Sequence, residues 1–292
     1  MFSLPKFSSN AHLDPAPLNA DLHCHSNVSD GLLDPVELAH RAHEKGVQLW
    51  ALTDHDELGG LARAAATAES VGLRFVPGVE ISVTWRDETL HIVGLKIDPE
   101  NEPLAAGLER TRAGRTRRAH DMAAQLAEVG IPDAFEGALN YVGNPDLISR
   151  THFARYIVEI NRCDDVREVF TKYLVAGKPG YVPTQWASLE DAVGWILAAG
   201  GVAVIAHPGR YKLNDAALRE LFAYFKKLGG TTIEVVTGSH SSEQFKRFAN
   251  YAKEFGFMAS RGSDFHGPKE SRFDLGTLPP LPDSVVPVWH DW

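Results

Sequence analysis

A short stretch near the start of the chain, Asp21 to Gly31, holds the residues whose types and spacing first indicate chemistry. In an extended strand, His23 and His25 project from one face and Cys24 projects from the other. Two imidazoles on one face can bind one metal ion, and Asp30 follows in a turn from which its carboxylate could reach a neighbouring ion. Alone, the pattern is equally typical of a buried strand end with two hydrogen-bonded histidines.

Further metal-binding residue types fall at or near the ends of the later predicted strands. They are Asp54, His55, Asp56, Glu80, His91, His207, Asp264 and His266. Strand ends converge in a barrel, and functional residues gather there. The same chemistry at nearly every strand end therefore favours a shared metal site over ordinary core packing.

The elements that must position these residues alternate between strand and helix. Asp34 as N-cap and Pro35 at the first helical position predict the first helix, and short apolar strands follow at 49–53 and 73–82. Such alternation favours a parallel sheet or barrel. We therefore predict an α/β fold with a barrel.

The alternation is interrupted by a helical region. We predict a barrel from 19–100 and 177–292, an all-helical insertion or cap at 101–176, and a loose leader at 1–18. Inserted modules of this kind often cover the mouth of a barrel, where loops carry function.

Composition limits the partners. The 292 residues include two cysteines, carry a formal net charge of −9 and contain no apolar run long enough to span a bilayer, so we expect a soluble, cytoplasmic protein without a membrane partner. A broadly acidic surface argues against binding duplex DNA. It does not exclude an anionic small substrate, because bound cations can reverse the local charge.

Taken together, several motifs resemble those of the PHP (polymerase and histidinol phosphatase) family. They are Asp-Leu-His-Cys-His-Ser with Ser29-Asp30-Gly31, Thr53-Asp54-His55-Asp56, Gly78-Val79-Glu80, Ala206-His207-Pro208 and Ser263-Asp264-Phe265-His266. The resemblance implies a distorted (β/α)7 TIM-like barrel with a centre of two or three metal ions and an enzyme that hydrolyses phosphate esters.

The resemblance also implies nine ligands in three groups, which are His23, His25 and Asp264; Asp30, His55 and His266; and Glu80, His91 and His207. Glu80 would bridge two ions, and His152 is the alternative to His91 in the third group. Imidazole and carboxylate donors suit manganese, iron or zinc. We expect manganese.

The expected chemistry follows from these donor types. Three divalent ions and three carboxylates leave a formal charge of about +3, which attracts phosphate. A metal-bound hydroxide shared between ions would attack phosphorus, so no protein nucleophile is required. Asp54 or Asp56 could orient a ligand histidine or handle the leaving-group proton, although Asp56 could equally cap the next helix.

The insertion supplies candidate substrate contacts. Ser149 is in capping position, and Arg150 and His152 lie in the first turn of the helix that follows, where an anion is favoured. Lys178 and His240 are further candidates. We interpret the basic run at 110–118 chiefly as a solvated helix face, from which one or two arginines could guide a polynucleotide.

Ser-Arg-Thr-His-Phe-Ala and Gly-Lys-Pro-Gly-Tyr-Val are similar to the stand-alone branch of the PHP family, which contains nucleoside 3′,5′-bisphosphate phosphatases and 5′→3′ exoribonucleases. The resemblance implies a nucleotide phosphomonoester or short 5′-phosphorylated RNA as substrate. Histidinol-phosphate phosphatase is the alternative enzyme. A polymerase-associated accessory or proofreading metal domain is the alternative of another class. The sequence does not distinguish a mononucleotide from RNA, and it does not determine the oligomeric state or any protein partner.

Overall fold

The computed structural model describes residues 17–292 and contains one seven-stranded sheet whose strands follow chain order. The strands are β1 (Ala20–Asp21), β2 (Leu49–Leu52), β3 (Arg74–Trp85), β4 (Glu88–Leu95), β5 (Val202–Ile205), β6 (Thr232–Thr237) and β7 (Met258–Gly262). Leu22 donates its backbone N–H to the carbonyl of Arg261, and Cys24 forms a bridge with Phe265. The first strand therefore lies beside the last, and the predicted distorted α/β barrel is confirmed.

One strand, β4, runs against the others. The turn at Arg86 and Asp87 joins it directly to β3, and β4 is antiparallel to both β3 and β5. A connection this short can only reverse the chain, since a parallel return needs a crossover of a dozen or more residues. The reversal pairs His91, in the first half of β4, with Ser82 in the second half of β3. His91 therefore lies at the edge of the barrel where the parallel strands end.

The helices divide between the barrel and the cap. Around the barrel lie α1 (Pro35–Glu44), α2 (Leu61–Ser70), α3 (Glu102–Arg112), α8 (Leu189–Ala198), α9 (Asp215–Lys227) and α10 (Ser242–Phe255), while the cap holds α4 (Arg115–Glu128), α5 (Ala134–Leu139), α6 (Arg150–Glu159) and α7 (Val166–Val169). Asp34 caps α1 as predicted. Among the helices described, none is long and apolar enough to cross a membrane.

The cap has its own apolar core, which begins later than the predicted insertion. Phe153, Ile157 and Leu126 pack in this separate core. In contrast, Leu104 and Leu108 of α3 pack in the outer core of the barrel. The helical region is interrupted at 113–114, between α3 and α4, and only α4, after the break, joins the cap.

Side chains of the strands alternate between two apolar clusters. Trp50 and Leu52 face the surrounding helices, while Leu49 and Ala51 face a smaller cluster that we assign to the barrel interior from the period-two alternation. Trp289 and Trp292 near the carboxyl terminus pack against this interior cluster. Of the predicted leader, residues 1–16 lie outside the described range.

Two helix-interior glycines allow a matched test of packing between α3 and α8. A Cβ at Gly107 would lie 2.4 Å from the Trp195 ring, whereas a Cβ at Gly194 meets nothing within 4 Å. We expect Gly107→Ala to lower the free energy of unfolding by about 1–3 kcal/mol through overpacking. Gly194→Ala should raise it by up to about 1 kcal/mol, because alanine favours helix. Urea denaturation measures both, and equal changes would contradict the packing described here.

Candidate metal centre

Glu80 lies at the middle of the cluster that the barrel assembles. Its side chain projects from β3 and is fully buried. The two carboxylate oxygens lie 2.9 to 3.3 Å from ring nitrogens of five histidines, which are His23, His25, His55, His91 and His207. A single carboxylate thus contacts residues from four separate segments of the chain.

Two smaller groups adjoin Glu80. The Nε2 atoms of His23 and His25 are 3.2 Å apart, and Asp264 Oδ1 lies 3.6 Å from the first and 3.3 Å from the second. On the other side, Asp30 Oδ1 lies 3.8 Å from His55 Nε2 and 3.4 Å from His266 Nε2. All nine side chains named from the sequence therefore converge at one end of the barrel.

Within the described residues, the donor atoms fall into four overlapping groups. Each group's donor atoms lie within 4.8 Å of one another, and the groups are His25, Asp30, His55 and His266; His23, Glu80 and His207; His23, His25 and Asp264; and His55, Glu80 and His91. His25 thus joins the Asp30 group, and His91 and His207 both contact Glu80. His152 lies outside the groups, so the geometry favours His91 over His152 as the remaining donor.

The donor set fits divalent cations. Metal–ligand bonds of about 2.0–2.2 Å at tetrahedral angles place donor atoms about 3.4 Å apart, close to the separations observed. Asp30 Oδ1 and Glu80 Oε2 are buried without a hydrogen-bond partner. Buried polar atoms without a partner are costly, and a cation bound between them would remove that cost.

The carboxyl groups are held in the ionised form that binds metal. Burial raises the pKa of Glu80, but His91, His23 and His55 outweigh it and hold the pKa well below the usual range. Burial likewise raises the pKa of Asp264, and His23 and His25 lower it more strongly. Ionised carboxylates therefore face the histidines at neutral pH.

The histidines differ in their preferred charge. Burial lowers the pKa of His25, but the neighbouring carboxylates of Asp264 and Glu80 outweigh it and raise the pKa to about 10. Burial and the charge of Arg210 lower the pKa of His207 to about 3. Without a bound cation, a protonated His25 thus partly compensates the buried negative charge.

The sequence analysis did not identify Glu234, which supports the cluster from below. This β6 residue is 1% exposed, its Oε1 lies 2.8 Å from His23 Nδ1, and its Oε2 accepts from the His207 backbone N–H at 2.6 Å. A carboxylate on the far nitrogen of an imidazole fixes the ring and its tautomer. The available signal was an acidic residue among the β-branched residues of the run Thr-Ile-Glu-Val-Val-Thr.

The two aspartates proposed as helpers have other contacts. Asp54 accepts hydrogen bonds from the backbone and hydroxyl of Ser26 and from the hydroxyl of Ser29, so it anchors the loop that carries Asp30. Asp56 accepts from Ser82 and pairs with Arg115. Among the hydrogen bonds of the described residues, neither carboxylate contacts a histidine ring.

A cleft between the barrel and the cap opens onto the cluster. Its cationic lining residues are Arg115, Arg118, Arg150 and Arg210, and its aromatic ones are Phe170, Tyr181 and Trp186. Arg115 and Arg118 are only 5% and 9% exposed. The basic run was interpreted as a solvated face, and this is wrong for these two arginines, which point into the cleft.

The remaining substrate candidates lie elsewhere. Of the predicted substrate contacts, Arg150 lines the cleft. Within residues 17–292, His152, Lys178 and His240 line neither this cleft nor a second one beside it. His152 is buried, and its Nδ1 accepts from the Ser149 backbone N–H, completing a capping box. His240 is also buried: one ring nitrogen accepts from the Gly209 backbone N–H, and the other contacts the Val235 carbonyl. Lys178 is exposed at a turn.

The fold and the site together define an α/β barrel with an imidazole–carboxylate cluster at its functional edge, an arrangement found in metal-dependent hydrolases. Residues 21–238 match the model of the PHP domain. The chain therefore belongs to the PHP family.

Relatives agree with this assignment. A 3′,5′-nucleoside bisphosphate phosphatase from Chromobacterium violaceum is 52% identical over 94% of this chain and 96% of its own. A 5′-3′ exoribonuclease from Haemophilus influenzae is 41% identical over 92% of this chain and 97% of its own. A Bifidobacterium adolescentis structure named as a metal-dependent phosphoesterase is 29% identical over 94% of each chain, with a TM-score of 0.79. The protein is a hydrolase of phosphate esters.

Glu234→Gln should lower the pKa of His23 in metal-free protein. Burial lowers the pKa of His23, but Glu80 and Glu234 outweigh it and raise the pKa well above its usual value. Replacing one carboxylate by a neutral amide removes part of this stabilisation of the imidazolium. NMR titration of the histidine ring nitrogens measures the change. Glu243→Gln, on the exposed side of α10, is the control, and an unshifted His23 in Glu234→Gln would contradict the pairing.

Proposed function

We propose that this protein hydrolyses the phosphate ester at the 3′ oxygen of a nucleotide that also carries a 5′-phosphate. The substrate is a nucleoside 3′,5′-bisphosphate, such as adenosine 3′,5′-bisphosphate, or a short 5′-phosphorylated RNA. In both cases the leaving group is the 3′ oxygen of the first nucleotide. The names of two relatives support this choice, since one is a phosphatase of such bisphosphates and the other a 5′-3′ exoribonuclease.

The nine clustered side chains hold two or three divalent cations in this proposal, with manganese as the expected metal. They are His23, His25, Asp30, His55, Glu80, His91, His207, Asp264 and His266. When bound, such cations lower the pKa of water and neutralise charge on phosphate oxygens. Donor chemistry and geometry support the assignment, because ionised carboxylates and imidazoles meet in one buried cluster.

The protein's own groups hold this centre in place. Glu80 belongs to two of the donor groups, one with His23 and His207 and the other with His55 and His91. Glu234 holds Nδ1 of His23, which leaves Nε2 of that ring directed at the cluster, and it also accepts from the backbone N–H of His207. These contacts position the donors and leave the arginines of the adjoining cleft to bind the substrate.

The observation that carries the proposal is a pair of arginines in that cleft, Arg118 and Arg150, that have no acidic partner among the described residues. Arg118 donates to the Val182 carbonyl and Arg150 to the Leu174 carbonyl, and neither forms a salt bridge with an acidic side chain within residues 17–292. Burial and the charges of Arg150 and Arg115 lower the pKa of Arg118 to about 9. A buried cation without a counter-ion is unfavourable, so a second phosphate of the substrate would be bound strongly here.

Aromatic groups beside these arginines suit a nucleoside. The guanidinium groups of Arg115 and Arg118 lie 4.7 and 5.4 Å from the Trp186 ring centroid, and that of Arg150 lies 5.6 Å from the Phe170 centroid. Stacking of this kind orients the arginines, and aromatic rings also stack on bases. A nucleotide with two phosphates fits this site. One phosphate binds at the cluster, the other binds at the arginines, and the base lies between the aromatic rings.

The alternatives fit this cleft less well. Histidinol phosphate carries an ammonium group, which the cationic cleft would repel. An accessory domain for a polymerase would not require a second anion subsite beside its metal centre. We also propose a cytoplasmic location, to which the two free buried cysteines are suited.

Hydrolysis with Mn(II) tests the substrate class, with phosphate release measured for adenosine 3′,5′-bisphosphate and histidinol phosphate and nucleotide release measured for 5′-phosphorylated oligoribonucleotides. We expect turnover of the first, release of 5′ nucleotides from the oligoribonucleotides, and little activity on histidinol phosphate. An oligoribonucleotide with a 5′-hydroxyl is the matched control, and it should react poorly because it cannot occupy the arginine subsite. Activity on histidinol phosphate alone would reject the proposal.

Two neighbouring arginines on α4 test the anion subsite. Arg118 is buried in the cleft and Arg117 is exposed. A hydrogen bond to a charged group contributes about 1.5–3 kcal/mol, so Arg118→Met should raise KM for adenosine 3′,5′-bisphosphate about 10- to 100-fold. Arg117→Met should leave KM unchanged. Steady-state kinetics measures both, and equal KM values for the two variants would remove Arg118 from the subsite.

A further inference from the structure

The cap holds one of the proposed metal ligands directly. Asp30, on the barrel loop after β1, is 4% exposed. Its Oδ2 accepts hydrogen bonds from Thr151 Oγ1 at 2.9 Å and from Ser149 Oγ at 3.2 Å. Both hydroxyls belong to the start of α6, more than a hundred residues away along the chain.

The other oxygen of the same carboxylate faces the metal cluster. Asp30 Oδ1 lies 3.4 Å from His266 Nε2 and is buried without a hydrogen-bond partner. The two hydroxyls therefore bind one oxygen and leave the second available to a cation. Hydroxyl groups that donate hydrogen bonds to the far oxygen of a ligand carboxylate set the orientation and basicity of that carboxylate.

A third contact from α6 holds the backbone of this loop. Arg155 is 5% exposed, and its Nη2 donates to the Asp30 carbonyl oxygen at 2.7 Å. The same guanidinium makes two hydrogen bonds of 2.8 Å to Glu270, in the segment after β7. Since Asp54 binds Ser26 and Ser29 from the barrel side, α6 supplies the contacts to Asp30 itself.

We propose that the cap is part of the metal centre, and that Thr151 is a positioning residue that holds Asp30 with Oδ1 directed at the cation bound by His25, His55 and His266. The inference rests on the proposed ligand role of Asp30. It assigns the insertion a second task besides substrate binding. The first turn of α6 carries Arg150 toward the substrate cleft and, beside it, the hydroxyls that orient a ligand.

Thr151→Val tests this role because it removes the hydroxyl while nearly keeping the volume of the side chain. The N-cap of α6 is untouched, since Ser149 supplies it. Loss of a contact of this kind typically weakens metal binding 10- to 100-fold. We expect one Mn(II) of the full complement to bind at least about 10-fold more weakly, with the remaining sites unchanged.

Metal content after dialysis against defined free Mn(II), together with the Mn(II) EPR signal, measures this without reference to turnover. Thr151→Ser keeps the hydroxyl and should restore wild-type affinity. Thr171→Val is the control in the cap, because the Thr171 hydroxyl donates to the Arg167 carbonyl of the preceding helix α7 at 3.0 Å and does not contact Asp30. Circular dichroism of the metal-free proteins verifies folding.

Wild-type affinity in Thr151→Val, or equal weakening in Thr151→Ser, would overturn the role of the hydroxyl. These outcomes can be distinguished from failure of the proposed function. If only the proposed function fails, the wild-type protein binds Mn(II) and Thr151→Val shows the expected loss of Mn(II) affinity, but the wild-type protein hydrolyses none of the nucleotide substrates. A wild-type protein that binds no divalent cation would overturn this inference along with the ligand assignments.

Discussion

The structure depends on the burial of acceptor atoms around Glu80. Five histidines surround this carboxylate, and two further carboxylates lie beside them, in the barrel where nonpolar side chains would otherwise pack. Such a concentration of polar groups out of water is costly unless each is paired. The imidazoles and carboxylates satisfy part of their hydrogen-bonding capacity by pairing with one another, but Asp30 Oδ1 and Glu80 Oε2 remain without a hydrogen bond. The cluster is therefore built for cations, and its supporting contacts serve the same end.

The barrel supplies the convergence. Parallel strands bring the ends of β1, β2, β5 and β7 to one edge, and the reversed β4 adds His91 from its first half. Below the cluster, Leu49, Ala51 and Val93 fill the interior. Glu234 lies against His23 and His207 and links their positions. The distortion of the barrel is thus not incidental, because a parallel strand in place of β4 would carry His91 elsewhere.

The cap complements the barrel in charge and in structure. The barrel edge concentrates carboxylates, while α4 and α6 of the cap contribute arginines to the intervening cleft. Contacts of α6 to Asp30 and to Glu270 fasten the cap at the rim of the cluster. The first turn of α6 therefore carries both Arg150, which lines the cleft, and Thr151, which contacts Asp30.

The sequence alone predicted the α/β fold from the alternation of strands and helices, and its resemblance to a known family named the nine side chains that the structure brings together. It also predicted the N-caps at Asp34 and Ser149, since capping depends on neighbours within three residues. These signals are local or recur along the chain, so they can be read without coordinates.

Only the tertiary structure decided which faces meet. Helical periodicity placed Arg115, Arg117 and Arg118 on one basic helix, but only the docking of α4 buries two of them in the cleft and leaves the third in water. Packing likewise decided that His240 and His152 satisfy backbone groups, that α3 joins the barrel core, and that Glu234 rather than Asp54 or Asp56 holds the ring of His23. Each of these outcomes depends on contacts between residues distant in sequence, and the order of residues does not specify such contacts until the chain is folded.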